Sequence, residues 1–196
     1  QFTSAILCMI HLIRTKEEYQ LQVGKIRFDG PSLSQIIQNG VPSGFQNSVI
    51  ALANVFVQSN INAFGKMAMA GCGSYSKIEG FVFLPVTCFN MALTTFVSQN
   101  LGAKQYDRAK KGAWFGILCS MSIAELIGFA IYAVSPVLIA AFNSDPEVVH
   151  YGVMQAKTIS LFYCVLAFSH CIAAVLRGSG NASVPMVVML CVWCLF

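Results

Sequence analysis

The chain has 196 residues, of which 56% are hydrophobic and 10% are charged, and its formal net charge is +4. Ordinary soluble domains carry roughly 25% charged residues, so this composition excludes an ordinary soluble domain. The basic residues flank apolar stretches, which argues against a nucleic-acid surface and is typical of the loops of a membrane protein.

Charge is nearly absent from four long stretches of the chain. Residues 30–65 and 80–103 carry none, and single charges, Glu125 and Arg177, interrupt residues 112–144 and 158–196. A helix crosses a bilayer with about 20 predominantly apolar residues, whereas the strands of a membrane β-barrel would alternate strictly over about ten residues. The sequence therefore predicts an all-α, polytopic transmembrane helical bundle with about four complete spans and two partial ones.

The elements follow one another along the chain in a simple order. Residues 1–13 are predicted to be the end of a transmembrane helix, and residues 14–39 a polar connector in which 31–37 suits a short interfacial helix. The complete spans are predicted at 40–62, 78–101, 113–142 and 149–176. A fifth span begins near Val184 and is truncated.

The segments between the spans are predicted loops, and their charges indicate an orientation. The loops are 65–77, 102–112, 143–147 and 177–183. Asp145 followed by Pro146 is typical of a helix start. One side of the membrane holds nine basic residues: Arg14, Lys16, Lys25, Arg27, Lys104, Arg108, Lys110, Lys111 and Arg177. The other side holds three: Lys66, Lys77 and Lys157. The richer side, with the 14–39, 102–112 and 177–183 loops, is predicted to be cytoplasmic.

The eight cysteines do not predict a disulfide framework. Seven lie within apolar stretches, and Cys72 lies in the predicted 65–77 loop. Cys191 and Cys194 form a C-x-x-C that has neither a second pair nor a nearby cluster of ligands. We interpret the cysteines as packing residues, so no zinc site, redox pair or cofactor is expected.

Polar residues within two of the spans are candidates for lining a cavity. Those of the first span are Gln46, Asn47, Asn54, Gln58 and Asn62, and those of the second are Thr87, Asn90 and Thr94. The last four amides of the first set are spaced by seven, four and four residues, which places them on one stripe of a helix. Such a stripe is costly against lipid, so it faces either a water-filled cavity or packed helices that the amides join. Pro85 permits a bend in the second span.

Four titratable residues within or beside the spans are also considered. Glu125 lies deep in a span and could exchange a proton or bind a cation, or be a protonated carboxyl joined to a neighbouring helix. Tyr163 and His170 lie seven residues apart on one helical face, where His170 could relay protons or be a structural group. Glu79, beside Lys77, is predicted to form an ion pair at the membrane edge. No nucleophile–base pair or phosphate-binding lysine is present, so neither an enzyme nor an ATP-driven engine is predicted.

Three segments, taken in this order, resemble the multidrug and toxic compound extrusion (MATE) family, and the resemblance covers the whole chain. They are Gly-Val-Pro-Ser-Gly-Phe-Gln at 40–46, Ser-Gln-Asn-Leu-Gly-Ala-Lys at 98–104 with Ala-Lys-Lys-Gly at 109–112, and Leu-Arg-Gly-Ser-Gly at 176–180 before Pro185. The resemblance implies a twelve-helix transporter of two six-helix lobes with a substrate cavity between them. Residues 1–13 would end the sixth helix, 14–39 would be the inter-lobe linker, and 40–196 would be helices seven to ten and the start of the eleventh. Because the chain opens at Gln1 and both ends lie in apolar runs, we expect a fragment that lacks the N-terminal lobe.

The resemblance also implies a function. The family exports organic cations and amphipathic drugs by proton or sodium antiport, which implies an integral protein of a plasma membrane, here expected to be bacterial, in contact with lipids. Many relatives carry acids on the seventh and tenth helices, but 42–62 and 149–176 have none. In the similar DinF-like branch, the coupling acid belongs to the first helix of the other lobe. Alternatives are a flippase for lipid-linked oligosaccharides, which the lack of Arg and Lys within the spans disfavours, an intramembrane enzyme or a non-transporting scaffold.

Overall fold

The structure is a computed structural model that describes residues 1–15, 20, 21, 24 and 27–195. The described residues form helices and no strand, which confirms the all-α prediction. The helices are α1 (Phe2–Arg14), α2 (Gly30–Ala63), α3 (Lys66–Gly102), α4 (Tyr106–Ala140), α5 (Pro146–Ser160), α6 (Tyr163–Gly178) and α7 (Ser183–Leu195). Part of the predicted 14–39 connector, namely residues 16–19, 22, 23, 25 and 26, lies outside the described residues.

The chain divides into two units, Gln1–Ile37 and Gln38–Phe196. In the first unit, α1 is followed by a return of the chain in which Leu21 N donates to Leu12 O at 3.0 Å. The start of α2 also lies in this unit, where the Asp29 carboxylate accepts a hydrogen bond from the backbone N–H of Ser32 at 3.1 Å. Residues 31–37, predicted to be a separate interfacial helix, are the first turns of α2.

The prediction of a loop at 65–77 is wrong, because α3 begins at Lys66 and includes the whole glycine-rich segment. The physical reason is close helix packing. A Cβ built on Gly71 would lie 2.6 Å from Val148 O and 2.9 Å from Gly152 N, so the backbones of α3 and α5 approach more closely than any side chain allows. Small residues bring membrane helices together in this way, and Cys72 therefore lies in a helix.

Helices α3, α4, α5 and α6 pack around two hydrophobic clusters within the second unit. Large side chains of α3, including Tyr75, Val82 and Val86, lie against small ones of the other helices. The buried residues on those helices include Ala124, Ala156 and Ala167. Alternation of large and small residues lets the helices interdigitate closely.

Two helices, α3 and α4, are each long and apolar enough to cross a membrane. The predicted span at 149–176 is broken into α5 and α6, which meet at an angle of 56° and together qualify as a third span. Asp145 begins α5 as predicted, since its carboxylate accepts from Glu147 N at 2.9 Å and Pro146 follows it. Helix α2 is 34 residues long. Its amides lower its hydropathy below that of α3 and α4, so its crossing of the membrane stays a prediction.

Candidate functional site

A cleft of about 680 Å³ opens between α2, α3 and α6 in the second unit. Its walls combine aromatic and aliphatic side chains with a few polar ones. The lining residues are Ile50, Asn54, Ser76, Glu79, Gly80, Phe83, Phe162, Val165, Leu166, Ser169 and His170. A mostly apolar concavity with a few convergent polar groups is typical of a binding site for small molecules.

Glu79 supplies the carboxylate of this cleft. Because α3 begins at Lys66, Glu79 lies more than three turns inside the helix and not at its edge. The predicted ion pair with Lys77 is not formed, because side chains two residues apart on a helix do not face each other. Lys77 Nζ instead lies 5.4 Å from the centre of the Phe142 ring. The half-buried Glu79 lies four residues after Tyr75, one turn further along the same face of α3.

Behind the cleft, two buried tyrosines connect α3 to α6. The Tyr75 and Tyr163 hydroxyl oxygens are 2.8 Å apart, and either can be the donor. Tyr163 is predicted from the sequence to line the substrate cavity, but it is not among the residues that line this cleft; it lies in the core cluster. Glu79, Tyr75 and Tyr163 thus form a line of exchangeable groups that runs from the cleft into the core.

His170 and Asn54 are the two predicted cavity residues that the structure brings to this cleft. The His170 ring packs edge-on against Phe83, with ring centroids 5.9 Å apart and planes at 84°. Asn54 faces the cleft from α2. The arrangement places an imidazole, an amide and a carboxylate around one opening, which can accept a ligand with both an aromatic ring and a hydrogen-bond donor.

The other predicted amides of α2 are distributed elsewhere. Gln46 is 4% exposed and lines a second cleft with residues of α6 and α7. Gln58 Nε2 donates to Asn62 Oδ1 at 2.9 Å, so these two amides bond each other on an exposed face. Asn47 is exposed. The predicted stripe therefore does not converge on one cavity among the described residues.

The predicted polar residues of α3 serve local and interhelical bonds. The Thr87 hydroxyl bonds the carbonyl of Phe83 within its own helix. The Thr94 hydroxyl lies 2.9 Å from Asn90 O and 3.3 Å from Ala174 O, so it joins α3 to α6. None of the three predicted residues of α3 lines the cleft.

Arg177, which the sequence places in the 177–183 loop, lies in the last turn of α6. Its Nη2 donates to Asn90 Oδ1 at 2.9 Å, so the half-buried guanidinium reaches back from the end of α6 to the interior of α3. The expectation that the spans contain no Arg or Lys is therefore wrong at Arg177, and it is wrong at Lys157, which lies within the predicted span 149–176 and in the last turn of α5. The long arginine side chain makes this reach possible from a residue at a helix terminus.

Glu125, the predicted coupling residue, does not line the cleft. Its Oε2 accepts a hydrogen bond from the backbone N–H of Cys164 at 3.0 Å, where α6 begins. The Ser122 hydroxyl, one turn before it, donates instead to Leu118 O. The described residues contain no group of three or more His, Cys, Asp or Glu side chains that could hold a metal ion.

Known proteins resemble this chain along most of its length. A sequence model described as MatE matches residues 42–196. A probable multidrug resistance protein NorM from Thermotoga maritima is 26% identical over 186 residues, 94% of this chain and 40% of that protein. The probable multidrug resistance protein YoeA from Bacillus subtilis is 23% identical over 193 residues, 96% of this chain and 42% of that protein.

A solved structure shows the same fold. The chain superimposes on a MOP superfamily transporter from Pyrococcus furiosus with a TM-score of 0.75 and 17% identity, covering 79% of this chain and 34% of the other. A reversed polarity of the binding pocket is described as suggesting a different function for that transporter. The chain spans about two fifths of the length of the curated relatives it matches.

Proposed function

Because this chain belongs to the MatE family, we propose that it is part of a secondary transporter that exports organic cations or amphipathic drugs in exchange for protons or sodium ions. It is an integral membrane protein of the bacterial inner membrane, as its apolar helices and its bacterial relatives indicate. The relatives carry names of probable multidrug resistance proteins, which supports drugs as the substrates.

The chain would supply most of the C-terminal lobe of a two-lobed carrier. This proposal is supported by the alignments, in which the chain matches about two fifths of the length of its relatives. In this proposal the connector at 14–39 links the lobes, residues 1–13 end the helix before it, and α2 to α7 are helices seven to eleven, with α5 and α6 together forming the tenth. Rocking of one lobe against the other would then expose the cleft alternately to the two sides of the membrane.

The charge of the cleft supports a cationic substrate. Its lining includes one carboxylate, Glu79, and neither lysine nor arginine. Aromatic rings such as Phe83 and Phe162 attract cations through their faces, and amides adapt their hydrogen bonds to varied ligands. The same lining does not favour the pyrophosphate of a lipid-linked oligosaccharide, because an anionic headgroup would meet the carboxylate.

The single observation that carries the coupling proposal is the position of Glu79, a half-buried carboxylate of the long apolar helix α3 that opens to the cleft one helical turn from Tyr75, whose hydroxyl pairs with that of Tyr163. An intramembrane carboxylate is costly and marks ion or proton pathways. Glu79 would release a proton or sodium ion when the organic cation binds, since the two positive charges compete for one carboxylate. This role replaces the one expected of Glu125.

The test uses the complete transporter that contains this chain, reconstituted in proteoliposomes, with the fluorescent cation ethidium as the probe. Imposed proton and sodium gradients are applied separately, and ethidium movement is followed by fluorescence. We expect gradient-driven export by the parent and its loss in Glu79→Gln, because the amide cannot exchange a proton. Glu147→Gln, the same change at an exposed position in the first turn of α5, should leave export unchanged.

Two outcomes would contradict the proposal at different levels. Gradient-driven export that persists in Glu79→Gln would remove this carboxylate from coupling. A parent protein that moves no ethidium with either gradient would overturn the assignment as a cation antiporter.

A further inference from the structure

The start of α6 has no cap of its own, although it lies within a broken membrane span. Phe162 occupies the N-cap position and its side chain makes no capping hydrogen bond. The first N–H groups of any helix lack partners within the helix, and an unpaired N–H in the bilayer interior is costly. The break between α5 and α6 therefore needs an acceptor from elsewhere in the molecule.

Glu125 of α4 supplies that acceptor. Its Oε2 lies 3.0 Å from the backbone nitrogen of Cys164, the second helical residue of α6. N-cap side chains satisfy this same position in ordinary helices, so Glu125 performs from a neighbouring helix the bond that Phe162 cannot make.

A second contact holds α4 against the same break. A Cβ built on Gly128 would lie 2.5 Å from Ser160 O, the carbonyl of the last residue of α5. Gly128 is three residues from Glu125 and so lies on the same face of α4. Gly128 thus contacts the end of α5, and Glu125 contacts the start of α6, on opposite sides of the break.

From these contacts we infer that Glu125 is a positioning residue: it caps α6 from α4 and thereby fixes the 56° bend and the orientation of the α6 wall of the cleft. That wall includes Phe162, Leu166 and His170. The effect on transport rests on the proposed function, whereas the capping bond itself does not.

The inference separates Glu125 from an ion-coupling group, because a cap requires an acceptor oxygen and not a charge. Glutamine keeps an acceptor oxygen at nearly the same place, whereas alanine removes it. Removal of the acceptor of a buried N–H changes an equilibrium constant about tenfold. Local opening of the first turn of α6 should therefore become about tenfold more frequent in Glu125→Ala and change little in Glu125→Gln.

The experiment compares Glu125→Ala, Glu125→Gln and Cys164→Ala in the complete transporter in lipid nanodiscs. Hydrogen exchange of peptides covering residues 160–168 reports the capping bond, and ethidium transport in proteoliposomes reports KM and its pH dependence. Cys164→Ala is the control, since it removes the thiol and keeps the backbone N–H that Glu125 bonds.

We expect faster exchange and a raised KM only in Glu125→Ala, with the pH midpoint of transport unchanged in all three variants. Unaltered exchange in Glu125→Ala would overturn the inference, as would a Glu125→Gln variant that loses pH-dependent transport. If Glu125→Ala fails to insert, parent-like exchange in Glu125→Gln supports the inference and exchange raised about tenfold contradicts it. If no variant and no parent transports ethidium while exchange responds as expected, the proposed function fails and the capping role stands.

Discussion

Glu79 and Glu125 are both carboxylates within apolar helices, and their surroundings differ completely. Glu79 faces an open cleft that His170 also lines. Glu125 faces a closed interface, where its oxygen bonds the backbone of another helix. A carboxylate that is reachable from a cleft can exchange ions, whereas one that satisfies a backbone donor is held in place by that bond.

The packing around the two carboxylates follows the same division. On the closed side, glycines such as Gly71, Gly128 and Gly152 bring backbones into contact. On the cleft side, Gly80 has open space where a side chain would project. The second unit therefore combines close contacts of α5 with α3 and α4 and an open cleft lined by α3 and α6, and the following variants test these two sides separately.

The largest effect is expected on the closed side, where Gly128→Ala places a methyl group against Ser160 O. Overpacking of this kind costs about 2 kcal/mol of unfolding free energy. Gly73→Ala is the matched control, since a Cβ on this helical glycine would meet no atom within 4 Å, and alanine there should stabilise the helix by about 0.5–1 kcal/mol. Thermal unfolding in detergent measures the stability of both variants. Equal stability of Gly128→Ala and Gly73→Ala would contradict the close contact at Gly128.

A smaller effect is expected on the cleft side for His170→Ala. The variant loses the edge-on contact with Phe83 and one polar group of the cleft, so KM for ethidium should rise about fivefold, as the energy of an aromatic pair indicates. His150→Ala is the control, because His150 packs against Tyr151 on α5 and does not line the cleft. Equal effects of the two changes would argue that the cleft is not the binding site.

The smallest effect is expected within α2. Asn54→Ala removes an amide from the cleft and should raise KM about threefold, which corresponds to one neutral hydrogen bond. Gln58→Ala should change KM little, because Gln58 bonds Asn62 on an exposed face. If the KM of the double variant Asn54→Ala, Gln58→Ala is much higher than that of Asn54→Ala alone, the amide stripe predicted from the sequence lines the substrate path.

The fold class could be predicted from the sequence because lipid imposes a severe constraint on charge, and the charge-free runs of this chain are long. The start of α3 could not, since glycines indicate a loop in a soluble protein and a close helix contact in a membrane. That one error also put Glu79 beside a loop. A helix continued through Gly71 and Gly73 places the carboxylate more than three turns inside α3.

The break in the fourth predicted span had no local signal either. Residues 160–163 contain neither proline nor glycine, the usual indications of a kink. The group that makes the break tolerable, Glu125, is 39 residues away in sequence. Asn54 and His170 could be anticipated as cavity residues because polar groups in apolar helices are unusual, but their convergence depends on how three helices pack.

The tyrosine pair behind Glu79 has a consequence for electroneutrality in the core. Because either hydroxyl of Tyr75 and Tyr163 can be the donor, the pair can reverse its direction without moving a heavy atom. A negative charge on Glu79, one helical turn from Tyr75, would favour the order in which Tyr163 donates to Tyr75, and protonation of Glu79 would remove that preference. Protonation of the carboxylate then leaves neither hydroxyl of the pair without a partner in the apolar interior. The hydroxyl stretching frequencies of the two phenols would report whether Glu79 is ionised or protonated.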